Sequence, residues 1–137
     1  MIDHKIVPGL STIYKKEGSH SDTLSTSGSS GIMEFLVSTP AILSMAIKAS
    51  SEMLDPLLPN GYISVGKNID LTHERPTLIG ETITLIITVS KVKGENVYLE
   101  ITGHDSTGVI CKGVYERTIV DKNHLIDIAY KRSKHGL

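Results

Sequence analysis

The chain has 137 residues, a net charge of −1 and 39% hydrophobic residues. That is enough for one domain with a real core, and so small a charge gives no electrostatic footing for nucleic acid or an anionic membrane surface. Trp is absent and Phe35 is the only Phe, so platforms for stacked bases are not expected, and no apolar run reaches membrane-spanning length. Residues Met1 to Lys5 lack the apolar stretch of a signal peptide. Cys111 is the single cysteine, which excludes an internal disulfide and fits a reducing, cytoplasmic location. Nothing near it in the sequence activates a thiolate, so it reads as a small buried hydrophobe in a strand.

In chain order, Leu10 to Lys16 alternates as a short strand. Glu17 to Gly31 follows, rich in Ser, Thr and Gly. A polar loop of that length inside a compact domain is either a lid or a mobile surface segment. Ser38-Thr39-Pro40 then opens the strongest helix signal in the chain, from about Pro40 to Asp55. Pro suits the first helical position because its missing N–H would be unsatisfied there anyway, which puts Thr39 at the N-cap. Ile42, Leu43, Met45, Ala46, Ile47 and Ala49 leave almost no polar face, the mark of a buried helix.

After a turn at Leu58 to Gly61 come four strand patterns: Tyr62 to His73, Glu81 to Val92, Val97 to Thr102 and Val109 to Val120. Gly66 interrupts the first of these, and such a Gly marks a bulge or a close approach of ligand to backbone. Lys93-Gly94-Glu95-Asn96 and Ser106-Thr107-Gly108 are turns. The basic tail beyond about Asp127 reads as a solvated, poorly ordered end. There is no internal repeat and no domain boundary, so residues 1–137 form one α+β domain. One helix cannot cover both faces of a five-stranded sheet. The expected architecture is a curved antiparallel sheet wrapped around a central helix, with pairing between subunits covering the remainder.

This order of elements resembles the hotdog fold, and more narrowly the thioesterase family that includes fluoroacetyl-CoA thioesterase. The resemblance runs from about Val37 to Val120. It rests on Ser38-Thr39-Pro40-Ala41-Ile42, on Leu57 to Gly61 with Ser64-Val65-Gly66, on Asp70-Leu71-Thr72-His73 with Pro76 and Gly80, and on Gly103-His104-Asp105, Gly108 and Gly113 to Arg117. It implies a homodimer and a small acyl-CoA substrate, with coenzyme A entering only as part of that substrate and no separate cofactor. It also implies an acyl site beside the helix N-terminus at the subunit interface.

The family's catalytic Thr matches Thr39 and its His matches His73. Its Gly, whose backbone N–H meets the thioester oxygen, matches Gly66, with Val65 beside it, and its Arg matches Arg117. The aromatic-rich segment of the fluoroacetyl-specific enzyme is reduced here to Met33 and Phe35, which gives no support for a fluorinated acyl group. The family's helix Glu falls on Ile47; Ser44, Lys48, Glu34 and Glu52 do not replace it in position.

The chemistry of thioester hydrolysis gives these residues roles. A helix N-terminus and a Gly N–H can hold a developing oxyanion, and an imidazole can take a proton from water. The resulting expectation is that His73 activates water, Thr39 positions the water or the acyl group, and Gly66 polarises the carbonyl. Arg117 is read either as a phosphate contact or as an ion pair with Glu116 or Glu74. The six His show no metal-ligand spacing, so no metal is expected.

The leading reading is an acyl-CoA thioesterase, weakened by Ile47. The alternative is a non-catalytic dimer that binds acyl-CoA or another small ligand. A hydratase is disfavoured because His73 has no acidic partner evident on the chain.

Overall fold

The computed structural model describes residues 3–24 and 31–135. Its elements are β1 (Ser11–Glu17), α1 (Thr39–Leu54), β2 (Tyr62–His73), β3 (Thr82–Lys93), β4 (Asn96–Asp105), β5 (Gly108–Asp121) and α2 (Lys122–His135). The five strands make one antiparallel sheet in the order β1-β3-β4-β5-β2. Strands β3, β4 and β5 are a meander, and Gly94, with φ +61°, takes the left-handed conformation their first hairpin needs. The β2 strand lies at one edge, and its outer side pairs with no other strand of the sheet.

Alternation along the strands builds the core. Ile83, Leu85, Ile87 and Val89 of β3, with Val97, Leu99 and Ile101 of β4, turn inward against Ile42, Met45, Ala46 and Ala49 of α1. A bulge between Gly66 and Asn68 leaves Lys67 without a partner in β5, the interruption that Gly66 signalled.

Three expectations are corrected. The helix is not enclosed on all sides: Ile47 is 46% exposed and Leu43 is half-buried. Thr39, Leu43 and Ile47 stand four residues apart, so they form one stripe along α1, and this stripe lacks full cover. The tail after Asp127 is not a frayed end but belongs to α2, which follows β5 without a loop. The Asp121 carboxylate accepts from the His124 N–H at 3.0 Å, supplying the cap that starts the helix.

The first part of the polar stretch is also ordered by contacts. Gly18 exchanges backbone hydrogen bonds with Glu81 and Gly80. His20–Asp22 is a 3-10 turn, and Asp22 accepts from Lys16 and from the Ser19 N–H. The centre of the expected lid, residues 25–30, lies outside the described residues.

Candidate functional site

The N-terminus of α1 is set by Ser38 rather than Thr39. The Ser38 side chain accepts from the Ala41 N–H at 3.1 Å and caps the helix, which moves Thr39 to the first helical position and Pro40 to the second. Backbone bonds from Ser38 N–H to the Asp22 carbonyl and from Val37 N–H to the Thr77 carbonyl tie this end to loops on either side. Because the cap is already supplied, the Thr39 hydroxyl is released for other work. It lies 2.7 Å from His73 Nδ1, at the end of β2. His73 Nε2 is buried and has no hydrogen-bond partner. A buried imidazole nitrogen without a partner carries a desolvation cost, and here it adjoins the helix N-terminus. The Thr39–His73 pair, separated by 34 residues of sequence, is therefore brought together.

Gly66 is not part of this pair. It stands seven residues from His73 on the same strand, about 23 Å at ~3.3 Å per residue. With Ile69 and the intervening residues of β2 it lines a depression of about 400 Å³, closed by Leu43 and Ile47 of α1 and by Tyr115 of β5. Thr39 and Ile47 are about 12 Å apart along α1 at ~1.5 Å per residue. One chain thus carries two separate clusters: Thr39 with His73 at one end of the uncovered stripe, and Gly66 with Ile47 at the other. A Cβ at Gly66 would fall 2.7 Å from the Tyr115 hydroxyl oxygen, so glycine is what lets that phenol stand against β2.

Arg117 lies beneath the second cluster and is only 2% exposed. Its Nη1 donates to the Tyr115 hydroxyl at 2.7 Å and its Nε to Ser64 Oγ at 3.0 Å. Its Nη2 donates to Ser51 Oγ at 2.8 Å and to the Ser64 carbonyl at 2.6 Å. Asp55 closes the network from behind, accepting from the Ser64 N–H at 2.9 Å and its hydroxyl at 2.7 Å. The ion pair expected with Glu74 or Glu116 does not form; Glu116 meets Lys67 instead, at 3.5 Å. A phosphate contact by Arg117 requires this network to open.

The remaining expected residues are more loosely placed. Val65 alternates onto the face of β2 opposite Ser64 and Gly66. Met33 and the 53% exposed Phe35 lie in a 3-10 turn before α1, and neither reaches the depression. Tyr115, Ser51, Ser64 and Asp55 have no site role in the sequence reading, although Ser64 and Tyr115 lie in segments that carry the resemblance. Beyond that, a lone Tyr two residues before Arg117 was the only available signal.

Three other groups, Asp22, Asp105 and Cys111, have displaced pKa values. Burial pushes the Asp22 carboxyl up, but its bonds from Lys16 and Ser19 outweigh that and hold it low. Burial raises the Asp105 carboxyl. Hydrogen bonds from the Thr107 N–H and hydroxyl, the Thr77 hydroxyl and the Gly108 N–H outweigh that and hold it below the usual carboxylate range. Burial, helped by the Glu74 charge, pushes the Cys111 thiol up against a Gly103 backbone bond that acts the other way, which favours the protonated thiol. Among the described residues no cluster of His, Cys, Asp and Glu could hold a metal, and no helix is long and apolar enough to cross a membrane.

A curved five-stranded antiparallel sheet packed on one central helix, with the helix N-terminus meeting the end of the second strand, is the hotdog fold. A model of the fluoroacetyl-CoA-specific thioesterase family matches residues 19–123, and the chain belongs to that family. A hot-dog-like protein from Thermanaerovibrio acidaminovorans is 30% identical over 91% of each chain, with a TM-score of 0.85. The fluoroacetyl-CoA thioesterase FlK is 20% identical, over 93% of this chain and 98% of its own, also with a TM-score of 0.85. A thioesterase-superfamily member from Thermus thermophilus is 18% identical, over 95% and 94% of the two chains, with a TM-score of 0.81. No curated protein sequence matches the chain.

Proposed function

We propose that the chain is an acyl-CoA thioesterase for a small acyl group, working as a homodimer whose sites are completed across the subunit boundary. The observation that carries this reading is the 2.7 Å contact between Thr39 Oγ1 and His73 Nδ1, with His73 Nε2 left without a protein partner. In the tautomer that suits catalysis, Nδ1–H donates to Thr39 and the Nε2 lone pair takes a proton from water. The water oxygen bonds to the thioester carbon. The carbonyl electrons move to oxygen, which the helix N-terminus beside His73 and the Gly66 N–H of the second copy stabilise. Collapse of the intermediate breaks the C–S bond, and the departing thiolate takes the proton from His73.

Dimerisation is supported by three features that share one side of the molecule: the free edge of β2, the uncovered stripe on α1 and the depression between them. Two β2 edges paired antiparallel about a centre between Ile69 and Asp70 set Gly66 of one copy opposite His73 of the other, uniting the two clusters as half-sites. The free thiol of Cys111 suits a cytoplasmic location.

Ile47 favours a second reading, an acyl-CoA-binding dimer without turnover, since an alkyl group stands at the family's acid position. Release of thiol from a panel of short acyl-CoAs separates the two. Turnover by the wild type, lost in His73→Ala, supports the enzyme. No turnover on any ester, with acyl-CoA still raising Tm and with hydrolysis created by Ile47→Glu, makes the native protein a binder.

A further inference from the structure

We propose that the Tyr115 hydroxyl is the hydrogen-bond donor that receives the thioester carbonyl in the depression beside Ile47, held there by the buried Arg117. This rests on the acyl-thioester reading and adds to it a residue of β5.

The hydrogen-bond inventory leads to this role. A guanidinium only donates, so the 2.7 Å bond from Arg117 Nη1 occupies a lone pair of the phenol oxygen and leaves its hydrogen uncommitted. Among the described residues no acceptor takes that hydrogen. Tyr115 is 4% exposed, yet its side chain lines the depression, so the hydroxyl has a desolvated setting and a cavity beside it. Gly66 shows that room is kept for this oxygen: any side chain there would begin 2.7 Å from it.

The surroundings suit a donor. Leu43, Ile47, Lys67 and Ile69 offer no side-chain acceptor to compete for the hydrogen, and Asn68, the lining side chain that has one, makes no bond with Tyr115. A carboxylate at position 47 would add one; isoleucine leaves the donor for the ligand. The cation behind the phenol polarises the O–H and strengthens the bond it gives. Arg117 is in turn fixed by Ser51 and Ser64, with Asp55 behind Ser64, so the donor is preorganised before any ligand arrives. No proton leaves Tyr115. The hydroxyl donates to the carbonyl oxygen and follows it as water adds to the carbon and negative charge collects there.

The test uses acetyl-CoA labelled with carbon-13 at the carbonyl, bound to the full-length His73→Ala protein, with the carbonyl stretch read by difference infrared spectroscopy. The band is expected below its position in water, and adding Tyr115→Phe should move it back up. In the otherwise native protein, Tyr115→Phe should lower kcat about 10²- to 10³-fold, the usual loss of one oxyanion donor, with KM changed only a few-fold. If the Phe variant does not fold, 3-fluorotyrosine at position 115 keeps the ring, the hydroxyl and the Arg117 bond; with the band read at mildly acid pH, where the phenol keeps its proton, its stronger O–H donor should deepen the shift. Bound acetyl-CoA whose band ignores both replacements overturns this inference alone. Acetyl-CoA that fails to bind even the native protein overturns it together with the thioesterase reading.

Discussion

At one end of β2, His73 meets Thr39 through a single hydrogen bond on an exposed helix terminus. Toward the other end, Ser64 and Gly66 lie over a guanidinium that is 2% exposed and makes four hydrogen bonds. The pair proposed to react is lightly held, and its members cap nothing and fill little of the core. The pocket half is built into the core and is costly to alter. On the proposed function, chemistry and stability reside in different halves of one site, and substitutions should tell them apart.

The largest expected effect is on turnover at the light end. His73→Ala should lower kcat by about 10²- to 10⁴-fold, the usual scale of a lost general base. Thr39→Ala should also reduce kcat while changing stability by less than about 0.5 kcal/mol, because Ser38 is the cap. A large fall in Tm for Thr39→Ala would break the contrast.

Arg117→Met at the heavy end should do the reverse. It orphans Tyr115, Ser51 and Ser64 and should cost about 3 kcal/mol, or about 10 °C in Tm for a domain of this size. An unchanged Tm would mean that the network is not a stabilising one.

A mixing experiment sharpens the comparison. His73→Ala has an intact pocket; Ile47→Trp fills the pocket and keeps the histidine. Each should be inactive alone. After the subunits are unfolded and refolded together in equal amounts, about a quarter of native activity should return, since half of random pairs are mixed and each holds one whole site. No recovery would place both half-sites' work within one chain.

The smallest effect concerns pH. The folded Asp105 carboxyl titrates below its unfolded value, so its contribution is fully present above the ordinary carboxylate pKa and disappears as pH falls through the lower folded pKa. Urea midpoints measured from pH 6 down to pH 3 should fall less steeply in Asp105→Asn than in the native protein. Asp22, also held low despite the upward push of burial, keeps some slope in both. Identical slopes would show that Asp105 is not coupled to folding.

Much of this contrast follows what a sequence can express. Alternating Ile83, Leu85, Ile87 and Val89 placed β3 to within a residue or so, and Ser38-Thr39-Pro40 placed the start of α1. The shift of the cap from Thr39 to Ser38 turns on one side-chain bond, which Ser and Thr make with similar ease. Thr39 and His73 were legible through spacing and resemblance; that they meet was not, since it depends on how β2 returns along the sheet. The Arg117 network was hidden for the same reason. Ser51, Asp55, Ser64 and Tyr115 are individually ordinary residues, and only the pairing of Gly66 with Arg117 in β2 and β5 collects them. The α2 helix was missed because its basic, polar sequence looks like a solvated end, while its start comes from Asp121, a residue of the preceding strand.

Sheet order also bears on how the chain assembles. The β3, β4 and β5 strands pair with their sequence neighbours, whereas Ser11 of β1 must find Thr88, and Tyr62 of β2 must find Asp121. Short loops close first at least entropic cost. The meander is thus the natural nucleus, and the two edge strands, with α1 strung between them, arrive afterwards. Pulse-labelled hydrogen exchange should find amides of residues 82–121 protected before those of β1 and α1. The Thr39–His73 contact, made from the two late pieces, would be among the last parts of the molecule to exist and the first to be given up when the chain loosens.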